Sequence, residues 1–310
     1  MSDDPKIGLI VTDVDGYSNG LDRDIDRLTE ALLKSGLSVS RLVWHDQTIS
    51  WDSYDLVIFK SPWDYPAHYA EFMTWLTKTE QQVRMLNSPD LVRWNIDKTY
   101  LKELVLSGVP CLDFSLCRSV EDASRAVEEL GPTVEHVVIK PTVSAGSRDT
   151  ALFCRDDPQL LQLVRSILRE NKTVMVMPEA KNVTSSGENA LYYFNGQYSY
   201  SFHKGPVLLP NGEYVGGTYT EDISRGYPSE AEVELGTLAI RSLENIACKH
   251  GFADDAHLPL YARADVAIDN DNSPKLIELE LFEPSLFADV VPESVDDYTK
   301  AVWRRLDASS

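Results

Sequence analysis

The sequence is poor in cysteine, with four in 310 residues: Cys111, Cys117, Cys154 and Cys248. They form no Cys-x-x-Cys pair and show no metal-ligand spacing, so they read as reduced thiols rather than a disulfide framework or a zinc site. Basic residues are also scarce, 29 Lys and Arg against 49 Asp and Glu, for a formal charge of −20. That balance argues against nucleic acid as a partner, because phosphate backbones need a basic surface. No apolar run reaches 18 residues, so no membrane-spanning helix is expected. The acidic start, Met1 to Lys6, lacks the apolar core of a signal peptide, and the expected location is the cytoplasm. No Gly-x-Gly-x-x-Gly follows the first strand, which weighs against a nicotinamide-dependent dehydrogenase. Internal repeats and low-complexity segments are missing too. What is present is ordinary for a globular enzyme, 43% hydrophobic and 25% charged. The length implies two or three subdomains.

The first 92 residues alternate strand and helix. Short apolar runs at Ile7–Val11, Val39–Val43 and Asp55–Phe59 read as buried strands, with helical spacing at Ile25, Leu28 and Leu32 and again at Tyr69, Phe72, Met73 and Leu76. Such alternation predicts a parallel sheet, whose strand ends bring the loops at 12–20 and 60–66 together. A helix is expected from Asn95 through Leu104 to Gly108, with Asp97 or Asn95 as its N-cap. Further helices are expected over 120–130, 160–168 and 229–250, and strands over 137–140, 150–154 and 174–177. Asn195-Gly196 centres a hairpin over 190–203. The Gly- and Pro-rich stretch 205–226 is expected to be a loop.

The densest chemistry lies in Tyr261–Asp269 and Leu276–Ser285. If these form a hairpin, alternation places Arg263, Asp265, Glu278 and Glu280 on one face, with Leu and Ile on the other. Three carboxylates on a sheet face suit a doubly charged cation bridged to phosphate, as Mg²⁺ is commonly held. The plain alternative is a solvated outer face. Lys98, Lys140 and the small-residue loop Ser144-Ala145-Gly146-Ser147 supply the complement: lysines neutralise phosphate, and small residues let backbone N–H groups approach it. Each alone reads equally as a surface lysine or a plain turn; together with the hairpin they indicate a nucleotide site.

These pieces, in order over about residues 93–288, resemble the ATP-grasp ligases: Asp97-Lys98, Val137 to Pro141 with its Ser-Ala-Gly-Ser loop, Met175-Val176-Met177-Pro178, Gly187-Glu188, and Arg263-x-Asp265 with Glu278-x-Glu280. D-alanine–D-alanine ligase and glutathione synthetase belong to that superfamily. Ser61 to Tyr65, Arg93 to Leu101 and Glu278 to Leu286 are similar in particular to the D-cycloserine synthetase-like branch. Two positions depart from the usual pattern: Glu280 stands where Asn is common, and Met177-Pro178-Glu179 where that branch often has Gln-Pro-Phe.

The resemblance implies an α/β (α+β) ATP-grasp fold. A parallel-sheet pre-grasp domain (1–92) would precede a central subdomain with the lid (93–178) and a C-terminal subdomain with the metal site (179–310). It implies an ATP-dependent, ADP-forming ligase that makes a C–N bond through an acyl phosphate, as an amide or by cyclising an amino-acid derivative. Lys98 and Lys140 would hold the α- and β-phosphates, and Ser144, Gly146 and Ser147 would cover the γ-phosphate. Met177 and Glu179 lie at the adenine hinge, and Glu188 would take the ribose. Asp265, Glu278 and Glu280 would hold two Mg²⁺ ions, with Mn²⁺ as a substitute; Arg263 and Lys204 would act on the transferring phosphoryl group. Asp13, Tyr17, Trp63, Asp64, Arg148, Glu283 and Ser285 are the substrate candidates, for a small amino-acid-like molecule. A homodimer is the expected assembly.

Two alternatives follow from the same residues. One is a nucleotide-binding protein without catalysis, although every carboxylate and lysine such loss would remove is present. The other is a haloacid-dehalogenase-type phosphatase using Asp13 as nucleophile in Asp13-Val14-Asp15-Gly16, against which Tyr17 and the lack of a second downstream Asp pair count.

Overall fold

A computed structural model describes residues 4–12, 22–215 and 221–307, without the side chains of Asn211 and Asp254. The N-terminal unit is a parallel sheet of β1 (Lys6–Val11), β2 (Ser38–Val43), β3 (Leu56–Ser61) and β4 (Met85–Leu86), in the order β2-β1-β3-β4. β3 is buried along its whole length, Lys60 included, as expected of an inner strand covered on both faces. Helices α1 (Ile25–Lys34) and α2 (Tyr69–Thr79) flank it.

The chain then runs through α3 (Pro89–Asn95), a 3-10 turn at Lys98–Tyr100 and α4 (Leu101–Leu106). The single helix expected from Asn95 is thus broken. Asp97 caps the 3-10 turn by accepting from Thr99 N, and Lys98 N is diverted to Thr142 O at 2.8 Å. Next comes an antiparallel sheet of β5 (Ser115–Cys117), β6 (His136–Pro141), β7 (Ala151–Cys154) and β8 (Val174–Pro178), ordered β5-β8-β6-β7 and backed by α5 (Val120–Glu129) and α6 (Pro158–Arg169).

After the short helix α7 (Lys181–Ser186), the third sheet contains β9 (Glu188–Phe194) and β10 (Gln197–Lys204), joined at the expected Asn195-Gly196 turn. Part of the expected loop at 205–226 is instead a two-stranded ribbon, β11 (Leu208–Leu209) with β12 (Glu213–Tyr214), followed by β13 (Ile223–Arg225). Helix α8 (Glu230–His250) follows, then β14 (Tyr261–Ile268) and β15 (Pro274–Glu280); the sheet order is β13-β10-β9-β14-β15. Ser229 and Glu232 form a reciprocal capping box at the start of α8, and Gly251 ends it at φ +68°.

The β14–β15 hairpin buries one face under α8, with Ala262, Ala264, Val266, Leu279 and Leu281 against Leu235, Ala239 and Leu243. A C-terminal helix, α9 (Ser294–Asp307), buries Tyr298, Ala301 and Val302 against Phe194, Tyr261 and the residues of α1. Leu9, Ile58, Phe202 and Phe287 lie in that same cluster, so the first and third sheets share a core. Among the described residues no helix is long and apolar enough to cross a membrane.

Candidate active site

In the hairpin, Arg263 lies opposite Glu280 and Asp265 opposite Glu278. Since the intervening residues face the core, these four share the other face. Arg263 Nε donates to Asp265 Oδ1 at 2.7 Å and Nη2 to Oδ2 at 2.8 Å; Nη2 also reaches Glu280. Lys204, at the end of β10, places Nζ 2.7 Å from Asp265 Oδ2 and pairs with Glu188. Lys98 Nζ lies 2.9 Å from Glu278 Oε1 and donates to Ser144 O at 3.3 Å. Gly187 makes the Glu188–Lys204 approach feasible: at φ +85° it packs so closely that a Cβ would run into the Lys204 carbonyl.

The charges are set by opposing forces. Burial would raise the Asp265 carboxyl, but Arg263 and Lys204 outweigh it and hold it at about 2. Glu278 is likewise below the usual range: burial pushes upward, and Lys98 and Lys140 prevail. Glu280 goes the other way, since burial, reinforced by Glu278 and Asp265, overcomes Arg263 and lifts it to about 7. Glu283 is pushed well above an ordinary carboxylate by burial and by Glu280. Lys140 is depressed, chiefly by burial and then by Lys98 and Lys204, against the pull of Glu278 and Glu188. Among the described residues it has no ion-pair partner within contact distance.

A cleft of about 730 Å³ brings together Lys98, Lys140, Ser144, Gly146, Ser147, Met177, Glu188, Lys204, Arg263, Glu278, Glu280, Trp63, Glu283 and Ser285. Asp265 is buried beneath this surface, reached through Arg263 and Lys204. The loop at 144–147 turns with Gly146 at φ +59° and Ser147 at φ 54°. Trp63 Nε1 donates to Glu283 O at 3.0 Å, tying the loop after β3 to the segment after β15.

Other expected residues lie elsewhere. Glu179 turns from the cleft: its Oε2 lies 2.8 Å from His136 Nδ1, and its Oε1 accepts from Thr184 Oγ1 at 2.7 Å. Asp64 is buried as an acceptor for Trp44 Nε1 at 2.7 Å, with His45 Nε2 at 3.6 Å, so it braces the N-terminal unit rather than facing a ligand. Arg148 is not among the lining residues. Asp13 and Tyr17, and with them the phosphatase nucleophile loop, lie outside the described residues.

Asp24, which also lines the cleft, has no signal in the sequence. Its carboxylate accepts from Leu286 N at 2.7 Å and Ala288 N at 2.9 Å, pinning the segment that carries Glu283 and Ser285. Leu112, Val138, Ala180 and Val183 add apolar lining to the cleft that Met177 shares, with Val138 opposite Met177 in the β6–β8 pairing. Among the described residues, no three His, Cys, Asp or Glu side chains converge as a ready metal cage.

A family model described as D-cycloserine synthetase DcsG, N-terminal domain, matches residues 8–87. The cycloserine biosynthesis protein DcsG of Streptomyces lavendulae is 28% identical over 306 residues, covering 97% of this chain and 99% of that protein. The crystal structure of D-cycloserine synthetase DcsG superposes with a TM-score of 0.86 at 28% identity, over 97% of this chain and 99% of that one. More distant likenesses show the same ATP-grasp fold. D-alanine–D-alanine ligase from Bacillus anthracis, complexed with ATP, has a TM-score of 0.62 at 14% identity and covers 96% of this chain and 94% of that one. The ATP-grasp ligase PsnB, with its minimal precursor, Mg and ADP, gives 0.55 at 15%, over 95% and 98%.

Proposed function

We propose a specific reaction for this chain, which is an ATP-grasp ligase forming carbon–nitrogen bonds: it activates a substrate carboxylate as an acyl phosphate and closes an amide bond on it. The observation that carries this reading is the buried Lys140 ammonium, without an ion-pair partner among the described residues, in a cleft it shares with Lys98, Lys204, Arg263 and the carboxylates Glu278 and Glu280. A buried, unpaired ammonium is costly, and a polyphosphate relieves that cost. Lys98 and Lys140 hold the α- and β-phosphates, while Ser144, Gly146 and Ser147 cover the γ-phosphate. Met177 and the apolar lining take adenine, and Glu188 takes the ribose.

Asp265, Glu278 and Glu280 fit Mg²⁺ by donor chemistry, as hard oxygens of which Asp265 and Glu278 stay ionised at neutral pH. A few carboxylates completed by phosphate oxygens suffice for this ion, so a preformed cage is not required. Two bound Mg²⁺ ions would supply charge neutralisation on the phosphate oxygens. Arg263 and Lys204 add fixed positive charge where the phosphoryl group transfers.

In the first step a substrate carboxylate oxygen attacks the γ-phosphorus and ADP leaves. In the second, a nitrogen adds to the acyl carbon, phosphate leaves, and the nitrogen gives up a proton. Trp63, Glu283 and Ser285 orient the substrate, and the 144–147 loop keeps water from the acyl phosphate. The likeness to D-cycloserine synthetase favours an amino-acid derivative whose own nitrogen closes the ring. A cytoplasmic homodimer completes the reading, to be checked by size-exclusion chromatography and fractionation.

The test incubates the protein with ATP, Mg²⁺ and a panel of amino acids with their ureido and amide derivatives. One member should yield ADP, phosphate and a new amide or cyclic amide in equal amounts. ATP binding without ADP formation on any member would overturn the reading in favour of a silent nucleotide-binding protein.

A further inference from the structure

Among the described residues β15 is an edge strand, so the backbone groups along its outer side lack a neighbouring strand there. Near its start, Leu276 N donates to Pro110 O at 2.8 Å and Leu276 O accepts from Leu112 N at 3.0 Å. Farther along, where the carboxylates are, the partners are side chains. The Tyr100 hydroxyl donates to Leu279 O at 2.9 Å and accepts from Leu279 N at 2.8 Å. The Asn95 amide donates through Nδ2 to Leu279 O at 2.7 Å and accepts from Leu281 N through Oδ1 at 2.9 Å. A phenol and a carboxamide therefore do what the peptide groups of another strand would do. Both are buried, Asn95 at 6% exposure and Tyr100 at 3%, so the bonds are shielded from water.

Leu279 stands between Glu278 and Glu280, and Lys98 stands between Asn95 and Tyr100. One short segment thus delivers the lysine that pairs with Glu278 and also grips the backbone that carries both carboxylates. A slip of one residue in β15 would turn those carboxylates into the core.

We propose that Asn95 and Tyr100 are positioning residues for the cation site: they close the free edge of β15 and hold Glu278 and Glu280 in register with Lys98. The inference rests on reading the cleft as an Mg²⁺–nucleotide site.

Calorimetric binding of ADP, once with Mg²⁺ and once with EDTA, tests it. Tyr100→Phe keeps the ring and removes the hydroxyl. It should cut the Mg²⁺-dependent gain in ADP affinity by about 10- to 100-fold, the usual cost of removing a support of metal ligands, while metal-free ADP binding stays within about twofold. Leu32→Ala, a cavity on the buried face of α1 in a core cluster that contains neither Tyr100 nor Leu279, should lower the melting temperature yet leave the Mg²⁺ gain unchanged. If Tyr100→Phe does not fold, Asn95→Asp serves instead, since it keeps the acceptor for Leu281 N and loses the donor to Leu279 O. An unchanged gain, an equal weakening with and without metal, or the same loss in Leu32→Ala overturns the inference. A wild-type protein that binds no ADP overturns the nucleotide reading itself, and this inference with it.

Discussion

Lys98 Nζ lies 2.9 Å from Glu278 Oε1, joining the turn after α3 to the carboxylate strand. Without a ligand, the cation that would face phosphate neutralises the carboxylate that would face metal. Replacing Glu278 by Gln keeps an acceptor for Lys98 and removes the charge. ADP formation should fall by about 10²- to 10³-fold, the scale of losing one preorganised electrostatic group, while the circular dichroism spectrum stays unchanged. Turnover like that of the wild type would remove Glu278 from the site.

Lys140 has the opposite character: it is buried, and among the described residues it has no ion-pair partner. Lys140→Met retains the apolar stem and loses the ammonium. ATP affinity should drop by roughly 10- to 100-fold, the value of a charged hydrogen bond. The ligand-free melting temperature should not fall, because no ion pair is broken.

The same internal neutralisation governs metal removal. Asp265, Glu278 and Glu280 are balanced by Lys204, Lys98 and Arg263 within the chain. EDTA should therefore abolish ADP formation yet leave the ligand-free melting temperature where it is. A drop of several degrees would indicate a structural metal, whose removal unfolds small metal-dependent domains.

Asp24 holds the segment behind the substrate residues. Asp24→Ala frees Leu286 N and Ala288 N and should raise the KM of the carboxylate substrate by about tenfold or more, given roughly 1.5–3 kcal/mol for a charged hydrogen bond. The dissociation constant of ADP should be unaffected, a split visible by comparing steady-state kinetics with calorimetry.

Lys60 and Asp22 form a buried pair at 3.2 Å, with Asp24 at 3.4 Å from the same ammonium. Burial pushes the Asp22 carboxyl up, but Lys60 outweighs it, and the folded value lies below the ordinary 3.8. A depressed carboxyl contributes stability above its unfolded value and loses it as pH falls through the folded one. Asp22→Asn should destabilise the protein at neutral pH by less than the roughly 3–5 kcal/mol of a fully broken buried pair, since Asp24 remains. In denaturation series, the gap between variant and wild type should close as pH drops below 3.8.

The site residues legible in the sequence are those whose meaning is local. Alternation alone places Arg263, Asp265, Glu278 and Glu280 on one face, because a hairpin's side-chain period is two. Lys98, Lys140 and the Ser144–Ser147 loop stand out by residue type. Glu179 and Asp64 do not reveal their roles, since their partners His136 and Trp44 come close only in three dimensions. No element is expected beyond Leu286 from the sequence, yet Tyr298, Ala301 and Val302 form the buried face of α9. The Asp296-Asp297 and Arg304-Arg305 pairs flanking them mask that stripe.

By itself, the sequence determined much of the order of strands and helices as far as β15 and the charge carried by the β14–β15 face, since both follow from periodicity and residue type. Tertiary structure alone decided which cation meets which carboxylate and which side chains seal the edge of β15. Such contacts join segments far apart in the chain, and only the packing of the sheets and α8 brings them within hydrogen-bonding reach.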